Sequence, residues 1–130
     1  MNNYTISDFI SKLNIARRGR LKTIIVRPSR MVFELLKIFE NLGIIRGYYI
    51  IDESCVEIML KYQHSKCVFT NIKVVSTPSR RLYANLLKLY KIKDRHPSEI
   101  FILSTCYGLK LDIDCLKDRQ GGLILLRIAV

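Results

Sequence analysis

The first part of the chain changes between helical and strand-like spacing of its apolar residues. Within residues 6–13 an apolar side chain recurs every three or four positions, which predicts an amphipathic helix. Residues 22–26 are rich in β-branched side chains and predict a strand that Pro28 ends. Ser29 then precedes an apolar stripe over residues 31–42, which predicts a second helix with Gly43 at its C-terminal end.

The next stretch predicts strands. Residues 44–51 and 55–62 are joined by three polar residues, as expected for a hairpin. Apolar and polar residues alternate in the second of these strands, so one face should be solvated. Residues 66–75 predict a further strand. The segment Ser76-Thr77-Pro78-Ser79 is small and polar, and it predicts a boundary between two lobes, residues 1–76 and 77–130.

Shorter elements are predicted beyond that boundary. They are a strand over residues 80–83, a helix over 85–92, a loop over 93–98, a buried strand over 100–103, a short helix within 109–120 and a last strand over 123–130. Asp112 or Asp114 should cap the short helix. The chain is therefore predicted to be α+β. Its N-terminal lobe should be helix–strand–helix–strand–strand, and its C-terminal lobe a mostly antiparallel sheet with short helices.

One short motif suggests a binding function. Ser104-Thr105-Cys106-Tyr107-Gly108 follows the predicted buried strand and presents hydroxyls and backbone N–H groups in a glycine-closed turn. Such a turn suits a phosphate group or a base edge of a nucleic acid. An ordinary turn between a strand and a helix would look the same, so the rest of the chain has to decide.

The charge pattern favours a nucleic acid as the partner. Lys and Arg number 22 against 11 Asp and Glu, a formal charge of +11 that a polyanion would neutralise. The cations are segregated, with seven basic residues and no acid over residues 12–30, and nine basic residues and one acid over 61–95. Several tyrosines lie within or beside these regions and could stack on bases. Every apolar run is far shorter than the roughly 20 residues of a membrane-spanning helix, so no membrane association is expected.

The cysteines do not predict a metal site, a cofactor or an enzyme. Cys55, Cys67, Cys106 and Cys115 form no C-x-x-C pair, and four free thiols are expected. A small enzyme with Cys106 as its nucleophile is the alternative of a different class. Asp112 stands where a phosphatase-type loop would have arginine, and no nearby histidine is an evident base, so neither catalysis nor a small-molecule substrate is expected.

Several segments, taken in order, resemble the S8 family of small-subunit ribosomal proteins, in its bacterial and organellar branch. Pro28-Ser29-Arg30 resembles the Pro-Ser-Ser-Lys that begins the family's second helix. Residues 76–83 resemble its Ser-Arg-Pro-Gly-x-Arg-x-Tyr, and residues 104–108 its Ser-Thr-Ser-x-Gly loop. Gly121-Gly122 resembles the Gly-Gly before the last strand. The chain departs from the family at Ser79, Cys106 and Leu123, where the family has glycine, serine and an acidic residue.

The resemblance implies a two-lobe protein that binds the central domain of small-subunit rRNA and supports its assembly beside neighbouring small-subunit proteins. A free-standing RNA-binding regulator is the alternative with the same chemistry. The residues implied in rRNA binding are Arg27, Ser29, Arg30, Ser76, Pro78, Ser79, Arg80, Arg81, Tyr83, Ser104, Thr105, Cys106, Tyr107, Gly108, Gly121 and Gly122.

Isoleucine and alanine usage suggests where the gene resides. The chain has 18 isoleucines and only three alanines, as an AT-rich coding sequence would produce. This composition favours an organellar gene, which would explain the absence of a recognisable targeting segment. The departures from the family motifs favour the small subunit of a mitochondrial ribosome. A bacterial or plastid ribosome is the alternative.

Overall fold

The computed structural model describes residues 3–64, 66–76 and 79–129, and the chain divides into two compact units, Met1–Phe69 and Thr70–Val130. The first unit contains α1 (Asn3–Gly19), β1 (Thr23–Val26), α2 (Arg30–Leu42), β2 (Ile45–Asp52), β3 (Cys55–Leu60), β4 (Tyr62–Gln63) and β5 (Lys66–Cys67). The second contains β6 (Asn71–Val74), β7 (Tyr83–Ala84), α3 (Leu86–Arg95), β8 (Glu99–Thr105), β9 (Gly108–Leu111), α4 (Asp112–Lys117) and β10 (Gly122–Ala129). This mixture of helices and antiparallel sheets confirms the predicted α+β class.

The first unit packs two helices on a three-stranded antiparallel sheet of order β1-β3-β2. Residues of β3 are alternately buried and half-buried, so one face is covered and the other is less exposed than predicted. Phe9 of α1 and Phe39 of α2 are both buried, with ring centroids 6.0 Å apart, and form the centre of this core. The sequence pattern was sufficient to predict both helices, because their apolar residues recur with the helical period of 3.6 residues.

Both ends of α2 have the residues that the sequence predicts. The Ser29 side chain accepts a hydrogen bond from the backbone N–H of Val32 at 3.2 Å, and so caps the helix N-terminus. Gly43 adopts φ +78 and its N–H donates to the carbonyl of Glu40, so this glycine closes the C-terminus in the left-handed conformation. The helix is thereby fixed to residues 30–42.

The second unit is organised around β10, which pairs antiparallel with three other strands. It lies between β6 and β8 in the order β6-β10-β8-β9, and its first residues also pair with β7. Leu89 of α3 and Cys115 of α4 are fully buried and pack in one cluster with Leu103 of β8 and Ile124 of β10. Both helices therefore contribute to the core of this sheet.

Several predicted boundaries are wrong. Residues 66–75 form two short strands rather than one, since β5 pairs with β4 and β6 pairs with β10. The two compact units meet between Phe69 and Thr70, and the predicted lobe boundary at 76/77 stays a prediction. Residues 80–82 are outside any strand, α3 extends to Arg95, and residues 108–111 form a strand that was not predicted. The short helix predicted within residues 109–120 is present as α4. No helix of the described residues is long and apolar enough to cross a membrane.

The predicted aspartate cap of α4 is also wrong. Leu111 occupies the capping position without a side-chain bond, and Asp112 is the first helical residue. The carboxylate of Asp112 is completely buried, accepts a hydrogen bond from the N–H of Ile113 at 2.8 Å, and has the Nζ of Lys93 at 2.9 Å from its Oδ2. The contact between Lys93 and Asp112 Oδ2 has the distance of an ion pair but not the geometry of a hydrogen bond. Lys93 Nζ instead donates a hydrogen bond to the carbonyl of Glu99 at 2.7 Å. The aspartate therefore joins α4 to α3.

Candidate nucleic-acid interface

Three of the predicted binding segments meet at one end of the sheet in the second unit. Gly122 pairs with Ala84, and Leu123 pairs with both Tyr83 and Ser104. The β8–β9 hairpin continues from there, with Thr105 opposite Gly108. We refer to residues 79–84, 104–108 and 121–122 together as the hairpin surface.

Two glycines allow these segments to approach one another. A Cβ atom on Gly121 would lie 2.4 Å from the carbonyl oxygen of Ala84, and one on Gly122 would lie 2.6 Å from that of Ser104. No side chain fits at such distances, since non-bonded atoms prefer about 3.5 Å. The Gly-Gly pair therefore lets the start of β10 lie directly between β7 and β8.

The predicted turn at residues 104–108 is a β-hairpin between β8 and β9, not a turn from a strand to a helix. Thr105 Oγ1 donates to the carbonyl of Gly108 at 2.9 Å and accepts from the N–H of Tyr107 at 3.2 Å. Gly108 adopts φ +103, a conformation that favours glycine, and nothing lies within 4 Å of where its Cβ would be. The threonine hydroxyl is thus mainly occupied in holding the turn together.

The tip of this hairpin exposes an aromatic ring and a thiol. Tyr107 is 76% exposed, and Cys106 beside it is also exposed. Lys110 Nζ lies 5.4 Å from the centre of the Tyr107 ring and 2.7 Å from Asp118, and the hydrogen bond to Asp118 raises the pKa of Lys110. Because Asp118 neutralises this cation, the tip offers a flat ring and backbone groups more than net charge.

The Ser76 side chain forms hydrogen bonds within the second unit. It is buried, its hydroxyl donates to the carbonyl of Ile124, and it accepts from the N–H of Leu82 at 3.1 Å. The N–H of Ile124 donates in turn to the carbonyl of Leu82 at 2.9 Å. These bonds hold the segment that carries the exposed residues Ser79, Arg80, Arg81 and Tyr83. Pro78 lies outside the described residues.

The remaining predicted residues lie in the first unit, Arg27 and Ser29 between β1 and α2 and Arg30 as the first residue of α2. Arg27 and Arg30 are exposed, and Arg30 is at the limit of ion-pair distance from Glu34, 4.0 Å. The Ser29 hydroxyl caps α2, as described above, so its contribution at this site is structural.

A basic cavity in the first unit was missed by the sequence analysis. It has a volume of about 490 Å³ and is lined by Lys22, Arg46, Lys61 and Tyr62 together with residues of β1 and β3. No acidic side chain lines it. Arg46 stands between Ile45 and Gly47 in sequence and belongs to no basic run, so only the sheet register brings it beside Lys61. Three cations around one cavity can bind an anion such as a phosphate group.

The four cysteines have free thiols, and Cys115, the only buried one, has a raised pKa because of its burial. Among the residues that the structure describes, no group of His, Cys, Asp or Glu side chains could hold a metal ion. Neither observation provides an activated nucleophile.

Comparison with known families identifies the chain. The family model of ribosomal protein S8 matches residues 4–128. The chain belongs to the ribosomal protein S8 family. The resemblance that the sequence motifs suggested is thus confirmed, and members of this family are structural, non-enzymatic proteins of the small ribosomal subunit.

Curated relatives of this S8-family chain match over nearly their whole length. Small ribosomal subunit protein uS8m of Acanthamoeba castellanii is 36% identical over 123 residues, 95% of this chain and 97% of the relative. The uS8 protein of Nitrobacter hamburgensis is 31% identical over 95% of both chains. That of Campylobacter jejuni subsp. doylei is 30% identical over 98% of this chain and 99% of the relative. The mitochondrial protein uS8m supports the predicted location, the small subunit of a mitochondrial ribosome.

Proposed function

We propose that this S8-family chain binds the central domain of the small-subunit rRNA through its hairpin surface and supports the assembly of that domain. The observation that carries the proposal is the strand pairing around Gly121-Gly122, which leaves only the start of β10 between the exposed Tyr83 and the hairpin that carries Tyr107. Two aromatic rings from segments distant in sequence, next to paired arginines, combine base stacking with phosphate binding.

Different residues have different roles in this proposal. Arg80 and Arg81 supply phosphate contacts, and the ring of Tyr107 stacks on an unpaired base. Thr105 acts indirectly, because its hydroxyl bonds to Gly108 and Tyr107 hold the hairpin tip in shape. The S8-family motif has serine at the position of Cys106, and the cysteine thiol is a weaker hydrogen-bonding group than a serine hydroxyl.

The test is a filter-binding series with a central-domain rRNA stem and a scrambled stem at several salt concentrations. Replacing both Arg80 and Arg81 by Ala should flatten the dependence of log K on log salt by roughly 0.7–0.9 for each phosphate group that the variant no longer binds. Tyr107→Ala should weaken binding to the cognate stem by about 1–3 kcal/mol with little change of slope.

Matched controls come from the same unit. Tyr90→Ala removes an exposed tyrosine of α3, and the double replacement of Lys117 and Arg119 by Ala removes two exposed cations outside the hairpin surface. If the cognate stem bound Tyr107→Ala and Tyr90→Ala equally tightly, the hairpin would not contact the RNA and the proposal would be wrong.

The basic cavity of the first unit is a second proposed contact with the RNA backbone. Arg46→Ala should lower affinity for cognate and scrambled stems alike, because phosphate contacts carry no sequence information. A loss confined to the cognate stem would instead indicate base recognition at the cavity. The exposed Arg27 and Arg30 are proposed phosphate contacts of the same unit.

A further inference from the structure

The outer edge of β2 is unpaired and unusually apolar. β2 is a terminal strand in the order β1-β3-β2, and no strand of the described residues pairs with its other side. Tyr49, Ile50 and Ile51 are 51%, 61% and 47% exposed in succession. Natural proteins usually protect such an edge with lysine, proline or a covering element, because its free N–H and C=O groups can pair with another chain.

The irregularities of β2 delimit the free edge. The register of β2 against β3 shifts between Ile45 and Gly47 and again between Ile50 and Asp52. Residues 47–50 between the two shifts keep a regular ladder. An added strand therefore has about four residues of regular edge to pair with, enough for a short extended segment.

The charge around this edge differs from that of the rest of the chain. Residues 47–60 contain three acids, Asp52, Glu53 and Glu57, and no lysine or arginine, in a chain with a formal charge of +11. Among the described residues, no cation lies within ion-pair distance of these three carboxylates. Asp52 accepts bonds from the N–H and the hydroxyl of Ser54, which lower its pKa, and Glu57 accepts from the Tyr49 hydroxyl. The β2–β3 hairpin thus keeps negative charge that the chain does not neutralise.

This charge decides which kind of partner the edge fits. An RNA backbone or an anionic membrane would be repelled by three carboxylates without an intervening cation. A second copy of this chain would bring two sets of these carboxylates together. A basic protein segment fits both the unpaired apolar edge and its negative charge. Its cations can pair with the carboxylates, while its backbone and apolar side chains cover the strand edge.

We propose that an extended, positively charged segment of another small-subunit protein pairs with β2 and adds a fourth strand to the sheet β1-β3-β2. Backbone hydrogen bonds along residues 47–50 hold the segment, and the exposed tyrosine and isoleucine side chains are its apolar anchors. Asp52, Glu53 and Glu57 select a segment that carries lysine or arginine. The interaction lies in the first unit and does not depend on RNA binding by the hairpin surface.

The test places a photo-crosslinking residue, p-benzoylphenylalanine, at position 50 of the chain within assembled small subunits. The matched control has it at position 15, since Ile15 is 60% exposed and lies in helix α1 rather than in a strand. After irradiation, mass spectrometry should identify a crosslink from position 50 to one segment of another ribosomal protein with a net positive charge. Position 15 should not yield that segment. A crosslink from position 50 to rRNA only, or no protein crosslink, overturns the proposal.

A second measurement uses charge at the same position. In the folded free protein, Ile50→Lys and Ile15→Lys should melt like the wild type, because both side chains are exposed. When each variant competes with the wild type for incorporation into small subunits, Ile50→Lys should be under-represented by about tenfold, the factor equivalent to 1.4 kcal/mol. Ile15→Lys should compete normally. Equal incorporation of both variants, or a wild-type dimer in analytical ultracentrifugation that Ile50→Lys dissociates, would contradict the proposed partner.

Discussion

Gly121→Ala tests whether the close approach of β7 to β10 supports the hairpin surface. The added Cβ would lie 2.4 Å from the carbonyl oxygen of Ala84 and 3.0 Å from the Cα of Asn85. Both atoms belong to the backbone, so no side-chain rotation can relieve the clash. Since non-bonded atoms prefer about 3.5 Å, β7 has to move by roughly 1 Å.

The size of the effect follows from what that movement breaks. β7 is held by its two-residue pairing with Gly122 and Leu123, and the adjacent Leu82 accepts from the N–H of Ile124 at 2.9 Å. Losing two or three backbone hydrogen bonds costs about 2–3 kcal/mol at about 1 kcal/mol each. The reduced freedom of the unfolded chain offsets about 0.4–1 kcal/mol. We expect a net destabilisation of about 1–2 kcal/mol, a fall of roughly 3–8 °C in the melting temperature.

The assay is thermal unfolding followed by circular dichroism, together with filter binding to the rRNA stem. Gly47→Ala is the control, because a Cβ there would be 3.6 Å from the flexible end of Met59, an ordinary contact. It should melt at or slightly above the wild-type temperature, while Gly121→Ala should melt lower and bind the stem about tenfold more weakly. If Gly121→Ala melted like Gly47→Ala, the inferred backbone contact and its role in placing Tyr83 would be refuted.

Four other results are expected. Ser29→Ala should destabilise the protein by about 1 kcal/mol in urea unfolding, through loss of the α2 cap; an unchanged midpoint would contradict that. Lys93→Met should cost about 3–5 kcal/mol by leaving the Asp112 carboxylate buried without its cation, and Asp112→Asn should cost less, because the lysine can still turn to water; the reverse order would be inconsistent with the pair. Two hydrogen bonds from Arg127, at 2.6 and 2.7 Å, lower the pKa of Glu99 below its ordinary 4.5, so their stabilisation is present above pH 4.5 and lost as pH falls through the lowered pKa. Glu99→Gln should therefore make the melting temperature less dependent on pH in that acid range. Because all four thiols are free, a reductant or a chelator should leave the melting curve unchanged.

The elements of the first unit could be predicted because their signals are local. A cap at Ser29, a glycine at 43 and apolar stripes of helical period act within a few residues, and the structure reproduces them. The strand predicted over residues 66–75 failed because its two halves pair with different strands. Which strand a segment joins depends on contacts with residues far away in sequence. The strand at residues 108–111 was not predicted for the same reason, since only its pairing with β8 makes it a strand.

The candidate site was likewise predictable from sequence only in part. The motifs at residues 76–83, 104–108 and 121–122 could be recognised from sequence, but the role of each residue could not. Ser76 looks like an exposed turn residue, yet its hydroxyl bonds to Ile124 and it is buried. Arg46 is isolated among apolar neighbours, and only the register of β2 and β3 places it beside Lys61. Roles that arise from distant strands meeting require the folded structure.

The central position of β10 also has a consequence for synthesis of the protein on the ribosome. The strands β6, β7 and β8 all form their sheet against β10, which is translated after every one of them. Residue 129 follows residue 74 by 55 positions, so at about 5–20 residues per second β6 waits roughly 3–11 s for its partner strand. Until β10 has been synthesised, the apolar residues 101–103 of β8 lack their partner strand. The first unit, whose three-stranded sheet is complete at residue 60, has no such delay and can fold during this interval.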